Sequence, residues 1–246
     1  MKKICVLFLL ASVAMIEAQE KIRIYCLYTP SHEVFYRDWF LPTLQDDYEV
    51  CAFQFDQQCP EATFMQDGWG KTMSHKINII LRAIEENWGG VFIYSDVDVQ
   101  FFRPTWPKLS KLIEKYDIVA QRCSERSTNI NSGFFICRAN ENTKRLWTGV
   151  GELLTRGGSR TPVDPSLNRL LKQQPLCRVK VGYLPVTFFC SELFRPKWPP
   201  VGASFRVPVG IVLHHAAWKK SEYKIPQLEY VRRVVEEREG AARAIR

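Results

Sequence analysis

"GGVFIYSDVDVQFFRP", Gly89–Pro104, sets four strand formers in a row, Val91 to Tyr94, and follows them with two aspartates one residue apart. An apolar run of this kind, preceded by Gly89 and Gly90, reads as a strand buried on both faces. Such strands belong to parallel sheets covered by helices, and there ligands gather at the carboxyl ends of the strands. Asp96 and Asp98 therefore stand where a ligand should bind. Two carboxylates at i and i+2 repel each other in a dry site. A hard divalent cation, Mn²⁺ or Mg²⁺, removes that cost, because it favours carboxylate oxygen and binds phosphate alongside it. The plainer alternative is a strand-end turn in which both aspartates cap backbone amides, and a D-x-D on its own does not separate the two.

The flanking chain alternates strands with helices. "IRIYCLY" (22–28) and "YEVCAFQF" (48–55) read as strands, with a helix between them that ends near Pro42. From Lys71 to Trp88 the apolar residues Met73, Ile77, Ile80, Leu81, Ile84 and Trp88 recur at helical spacing and predict one core-facing stripe. Downstream, "YDIVAQ" (116–121) and "GFFICRA" (133–139) are strands, the first following a helix from Trp106 to Lys115 and the second leading into a helix from Glu141 to Leu154. "DPSLNRLLKQQ" (164–174) reads as a helix opened by an aspartate cap and Pro165. "CRVKVGYLP" and "VGIVLHH" supply later strands, and Pro226 opens a terminal helix through Arg238. This order predicts a single-domain α/β sandwich with a mostly parallel central sheet. No G-x-G-x-x-G opens the first helix and no G-x-x-x-x-G-K-[ST] occurs, so dinucleotide and P-loop chemistry find no support.

At 246 residues, 46% of them hydrophobic, the chain has the length and composition for one sizeable core. Its first residues, "MKKICVLFLLASVAMIEAQE", pair two lysines with a short apolar run and then Ala18. That is the pattern of a signal peptide over residues 1–18, with an uncleaved membrane anchor as the alternative, leaving 19–246 as the folded domain. Removing 1–18 leaves seven cysteines, an odd number, of which Cys26 and Cys137 sit in apolar runs and read as buried thiols. One or two disulfides stay open, with pairing unreadable from spacing. No Cys/His spacing suits zinc. The formal charge of +8 does not point to nucleic acid, since the C-terminal "RRVVEEREGAARAIR" mixes signs as a solvated helix does.

Taken together, "ENWGGVFIYSDVDVQFF", "NSGFFICRANENTKRLW" (131–147), "LHHAAW" (213–218), "YKIPQLEYVRR" (223–233) and "TPSHEVFYRDWFLPTLQDDYEV" (29–50) resemble the nucleotide-diphospho-sugar transferase family, glycosyltransferases of the GT-A fold, over residues 22–235. The resemblance implies a Rossmann-like GT-A sandwich and transfer of a sugar, with retention, from a UDP- or GDP-sugar to a glycan, protein or lipid acceptor. It implies Mn²⁺ or Mg²⁺ on Asp96 and Asp98, completed by His215 or His214, the spacing to Trp218 favouring His215. Thr29 would lie near the nucleotide base or ribose, and Lys76 near the diphosphate. Ser95, just before the acidic pair, and Val97, within it, would join the substrate contacts. Asn131, Ser132 and Gly133 match an N-[ST]-G element facing the donor sugar, Asp164 an acidic residue acting near the reacting carbon, and Asn168 a weaker contact one turn on. Each position also has a plainer reading: Thr29 or Ser31 as a helix cap, Lys76 and Lys224 as solvated charges, Asn131–Gly133 as a turn, Asp164 as a cap. The family pattern has an asparagine where Ala217 stands.

Two other classes stay open on the sequence. A phosphatase of the haloacid dehalogenase type also places D-x-D after a hydrophobic strand, but in the chain's first strand and with Thr or Val where Gln100 stands here. A degenerate, non-catalytic nucleotide-sugar-binding protein would keep the same pocket without turnover.

Overall fold

The computed structural model describes residues 21–60, 66–123, 127–158, 161–173, 178–190, 206–217 and 223–244. The expected signal segment 1–18, Cys177 and Trp218 lie outside them. Nine strands and seven α-helices are described, and the centre of the molecule is a six-stranded sheet in the order β2-β1-β3-β6-β5-β7. β1 (Arg23–Tyr28) pairs in parallel with both β2 (Glu49–Gln54) and β3 (Val91–Asp96). β5 (Ile118–Arg122) pairs in parallel with β7 (Val181–Tyr183). The mostly parallel sheet is present, with one strand reversed: β6 (Ile130–Arg138) runs antiparallel to β3 and to β5.

That reversal decides which residues reach the site. Because β6 runs backwards, its first residues, not its last, lie beside the carboxyl ends of β1 and β3; the pairing of Ser95 with Phe134 sets Asn131–Gly133 at the same edge as Asp96. A second sheet, β4-β9-β8, forms just beyond that edge. In it β4 (Val99–Phe101) pairs antiparallel with β9 (Leu213–His215), which runs parallel to β8 (Phe188–Cys190). Val99 opposite His215, with the Ala216 amide donating to the Asp98 carbonyl at 2.9 Å, brings the late histidines to the early aspartates.

Each face of the large sheet is covered by its own apolar layer, as continuous apolar strands require. Tyr25, Phe92, Tyr94 and Phe135 pack under α3 (Trp69–Glu86) and α5 (Glu141–Gly157), burying Ile77, Ile80, Ile84, Leu146 and Trp147. On the other face Ile24, Ile93 and Ile136 meet Phe35, Trp39 and Phe40, Leu109 and Ile113 of α4 (Trp106–Ile113), and Leu228 of α7 (Lys224–Ala244). Each such side chain contributes about 1.5–3 kcal/mol by leaving water. Two expectations change here. Trp88 is 56% exposed and not core, because α3 ends at Glu86 and Gly89 takes a left-handed φ of 83° that turns the chain away. The helix after β1 is segmented: a 3₁₀ turn (Pro30–His32), α1 (Glu33–Phe35), a π turn (Tyr36–Phe40) and α2 (Leu41–Thr43). Pro42 has no N–H to give the Asp38 carbonyl, so the ladder widens just before it.

The terminal helix starts two residues before Pro226 and runs beyond Arg238. Cys26 and Cys137 are buried thiols, as their apolar runs imply. No described helix is long and apolar enough to cross a membrane.

Candidate active site

One cavity of about 1000 Å³ opens along the carboxyl edge of the large sheet. Its size lies at the upper end of the range for small-molecule and cofactor sites. Thr29, Lys76, Asp96, Val97, Asp98, Asn131, Ser132, Gly133, Asp164, Asn168 and His215 all line it. Residues from β1, α3, β3, β6, α6 (Val163–Lys172) and β9 thus converge on one space, as the strand-end rule requires. Ser95 and His214 do not line it. Ser95 is fully buried and donates its hydroxyl to the Asp96 carbonyl at 2.8 Å.

At the floor, ligand atoms of Asp96, Asp98 and His215 lie within 4.8 Å of one another. Two carboxylate oxygens and an imidazole nitrogen form a donor set suited to Mn²⁺ or Mg²⁺, so the residues present fit the implied ion. Capping of backbone amides, the plainer reading of the D-x-D pair, is not what holds these carboxylates. Lys76 Nζ lies 2.8 Å from Asp96 Oδ1, and Lys224 Nζ 2.7 Å from Asp98 Oδ2. His215 Nε2 stands 3.5 Å from Asp98 Oδ1. Burial alone would raise Asp98, but the Lys224 ammonium and then His215 hold its carboxyl well below the usual range. Burial alone would lower His215, yet Asp98 beside it holds the imidazole well above its ordinary value. Neither lysine is a solvated charge.

His214 takes the opposite side of β9. Its ring stacks on Phe189, and its Nδ1 lies 3.1 Å from Gln100 Nε2, which also donates to the Leu228 carbonyl at 2.8 Å. Burial, and then His215, lower His214 to about 3, so it is a neutral core histidine outside the ligand group. Alternation along a strand turns adjacent side chains to opposite faces, which is why only one of the pair reaches the aspartates.

Asp164 does not cap its helix. The N-cap of α6 is Pro162, and the carboxylate instead spans to the start of β6. Its Oδ1 accepts from the Ser132 amide at 2.9 Å and from the Ser132 hydroxyl, and its Oδ2 accepts from Asn131 Nδ2 at 3.0 Å. Burial raises its pKa against those hydrogen bonds. Asn168, one turn on, is a clamp: its Oδ1 accepts from the Ile130 amide and its Nδ2 donates to the Ile130 carbonyl, both at 2.8 Å. Gly133 is the one residue that fits its position, since a Cβ there would stand 2.1 Å from His215 Cε1. Thr29 is buried against the cavity and makes no side-chain cap bond.

Lys224, a solvated charge on its plainer reading, reaches Asp98 from the start of α7. The structure adds residues that no sequence pattern marked. Gln121 and Cys190 contact the far nitrogen of His215, and Tyr94 lies under Lys76, whose Nζ is 4.8 Å from the ring centroid. Arg169 and Lys172 add positive charge to the cavity lining beside Lys76 and Lys224.

Comparison with known proteins accords with this geometry. A family model described as nucleotide-diphospho-sugar transferase matches residues 42–224. A search of curated proteins gives no match. Among solved structures, a glycosyltransferase involved in glycosylation of the major capsid of PBCV-1 superposes with a TM-score of 0.54 at 11% identity, covering 85% of this chain and 100% of that one. Mouse xyloside xylosyltransferase 1 gives a TM-score of 0.47 at 10% identity, covering 79% of this chain and 97% of that one. At such identities the first likeness speaks to the fold, a GT-A-like α/β domain, and to nothing finer.

Proposed function

The chain belongs to the nucleotide-diphospho-sugar transferase family, and from that premise we propose that it is a metal-dependent, retaining glycosyltransferase. It would move a sugar from a UDP- or GDP-sugar to a hydroxyl of a glycan, protein or lipid. One observation carries this reading: Asp96, Asp98 and His215 converge on a single large cavity whose wall also presents Lys76 and Lys224.

Asp96, Asp98 and His215 would hold Mn²⁺ or Mg²⁺. When bound, the ion supplies charge neutralisation for the departing diphosphate. The protein's own groups do the rest. Lys76 and Lys224, already at the two carboxylates, would bind phosphate oxygens and stabilise the charge that grows as the sugar–oxygen bond breaks. Asp164, fixed by Asn131 and Ser132, sets a carboxylate opposite the positive charge that develops on the anomeric carbon, and accepts hydrogen bonds from sugar hydroxyls. The acceptor oxygen bonds to that carbon on the face the diphosphate leaves, which keeps the configuration, and the acceptor proton passes to the departing phosphate oxygen. Holding both partners in one cavity supplies much of the rate by orientation. Thr29 and Val97 line the same cavity and would contact the nucleoside. The pattern of residues 1–18 supports action in a secretory lumen or outside the cell.

The test is a panel of UDP- and GDP-sugars incubated with Mn²⁺ or with a chelator, following nucleotide release. Release that needs Mn²⁺ and falls about 10²-fold or more in Asp98→Ala supports the reading. Phosphate release from phosphomonoesters would favour a phosphatase instead. Tight nucleotide binding without release by the wild type would leave a non-catalytic binding protein.

A further inference from the structure

We propose that Gln121 is a positioning residue for the metal site: its amide orients the ring of His215 so that Nε2 is the nitrogen presented to a divalent ion. The inference rests on the Asp96–Asp98–His215 reading above. Gln121 stands near the end of β5, where the pairing with β6 shifts register between Ala120 and Gln121, and it is 1% exposed. The ladder steps from Ala120 opposite Phe135 to Gln121 opposite Asn131, leaving residues 132–134 of β6 without partners on β5. At this break the Gln121 amide reaches across to the second sheet. Gln121 Nε2 donates to the Phe188 carbonyl at 3.2 Å, and Gln121 Oε1 lies 3.1 Å from His215 Nδ1.

The direction of that chain follows from chemistry. A main-chain carbonyl only accepts, so the amide nitrogen must face Phe188 and the amide oxygen must face the histidine. Nδ1 must then carry a hydrogen and donate it to Gln121. In a neutral imidazole the lone pair is left on Nε2, the atom 3.5 Å from Asp98 Oδ1 and within the three-residue ligand group. Cys190 Sγ lies 3.8 Å from the same Nδ1, a longer and weaker contact. Gly133 closes the packing, since its missing Cβ is what leaves room for the ring edge. One side chain thus sets both the tilt of the ring and the nitrogen that is free to ligate. Partners of this kind on metal-binding histidines change metal affinity by roughly 10–100-fold.

The test is Mn²⁺ binding to the full chain, read by electron paramagnetic resonance of the free ion, with saturating UDP and GDP in turn. Wild type, Gln121→Met and Gln121→Glu are compared. Gln121→Met, which keeps the volume and loses the acceptor, should weaken Mn²⁺ binding about 10–100-fold. Gln121→Glu still accepts from Nδ1 and should stay closer to wild type than Gln121→Met. If Gln121 merely ties β5 to β8, the order reverses, because a carboxylate facing the Phe188 carbonyl is the worse substitution for stability. Unchanged affinity in Gln121→Met, or weaker binding by Gln121→Glu than by Gln121→Met, overturns the proposal while leaving the metal site standing. Failure of the wild type to bind Mn²⁺ overturns the reading beneath it. Should the variants not fold, nitrogen-15 spectra of the wild-type protein loaded with Mg²⁺ and nucleotide read His215 directly. A hydrogen on Nδ1 with none on Nε2 supports the proposal, and a hydrogen on Nε2 overturns it.

Discussion

Single atoms decide whether the aspartates at the end of β3 can act. Gly133 shows how narrow the margin is. A Cβ there would stand 2.8 Å from both ring nitrogens of His215, so the buried ring would have to move. Gly133→Ala should cost about 1–3 kcal/mol of stability and displace the ring, so Mn²⁺ binding should be lost; thermal unfolding and metal titration check the two effects. His32 offers a pH-dependent test away from that ring. Burial, and then Lys224, lower its pKa from 6.5 to about 4. The folded value lies below the unfolded one, so the unfolded chain binds more protons in that window. The stability this neutral ring contributes is complete above about pH 6.5 and is lost as pH falls towards 4. His32→Gln should therefore lose less stability than wild type between pH 6.5 and 4 in urea unfolding; identical pH profiles would contradict the assignment. Asp96, Asp98, Asn131 and Asp164 were legible because each borders an apolar run that declares a strand end or a helix start. Gln121 was not, since its partner His215 is 94 residues away and nothing local marks the contact.

At the scale of elements, the reversed β6 does most to shape the site, because it delivers Asn131–Gly133 to the carboxyl edge of the sheet. Asn168 ties α6 to the start of that strand through both polar groups of Ile130. Asn168→Ala would leave the buried Ile130 amide without its acceptor and the Ile130 carbonyl with only the weak Cys123 thiol as donor, and should cost about 1–3 kcal/mol, with sugar transfer falling further than nucleotide binding as Asp164 loses its register. Equal losses in both would argue that Asn168 has no hold on Asp164. The strands of the large sheet and their succession along the chain are readable from apolar runs and glycine punctuation, whereas their order within the sheet and their direction are not. "NSGFFICRA" reads the same whether its neighbours run with it or against it, and only tertiary pairing settles that. The exposed Trp88 was misplaced for a related reason. Helical spacing continues through it on paper, but Gly89 turns the backbone first. The second sheet escaped notice because strands of three residues carry too little periodicity to declare a partner.

Across the molecule, charge is matched at the cavity, where Lys76, Arg169, Lys172 and Lys224 meet Asp96, Asp98 and Asp164. Both carboxylates of the D-x-D pair already hold an ammonium, Lys76 on Asp96 and Lys224 on Asp98, with side chains only 5% and 15% exposed. A divalent ion entering alone would strand two largely buried lysines, which is costly. A nucleoside diphosphate arriving with the ion would take both lysines onto its phosphates. Ion and nucleotide should therefore bind cooperatively, each tightening the other by the same factor, at least about tenfold or 1.4 kcal/mol. Lys224→Met should bind Mn²⁺ more tightly than wild type without nucleotide and should lose part of that coupling, as calorimetric titrations would show. The most direct measurement is a crystal soaked with Mn²⁺ and UDP or GDP, with diffraction data collected at the manganese edge. A single anomalous peak within ligand distance of Asp96, Asp98 and His215 Nε2, with Lys224 released from Asp98 towards phosphate, is the predicted result. Nucleotide in the cavity with no peak there, and Asp98 still paired to Lys224, would contradict the account.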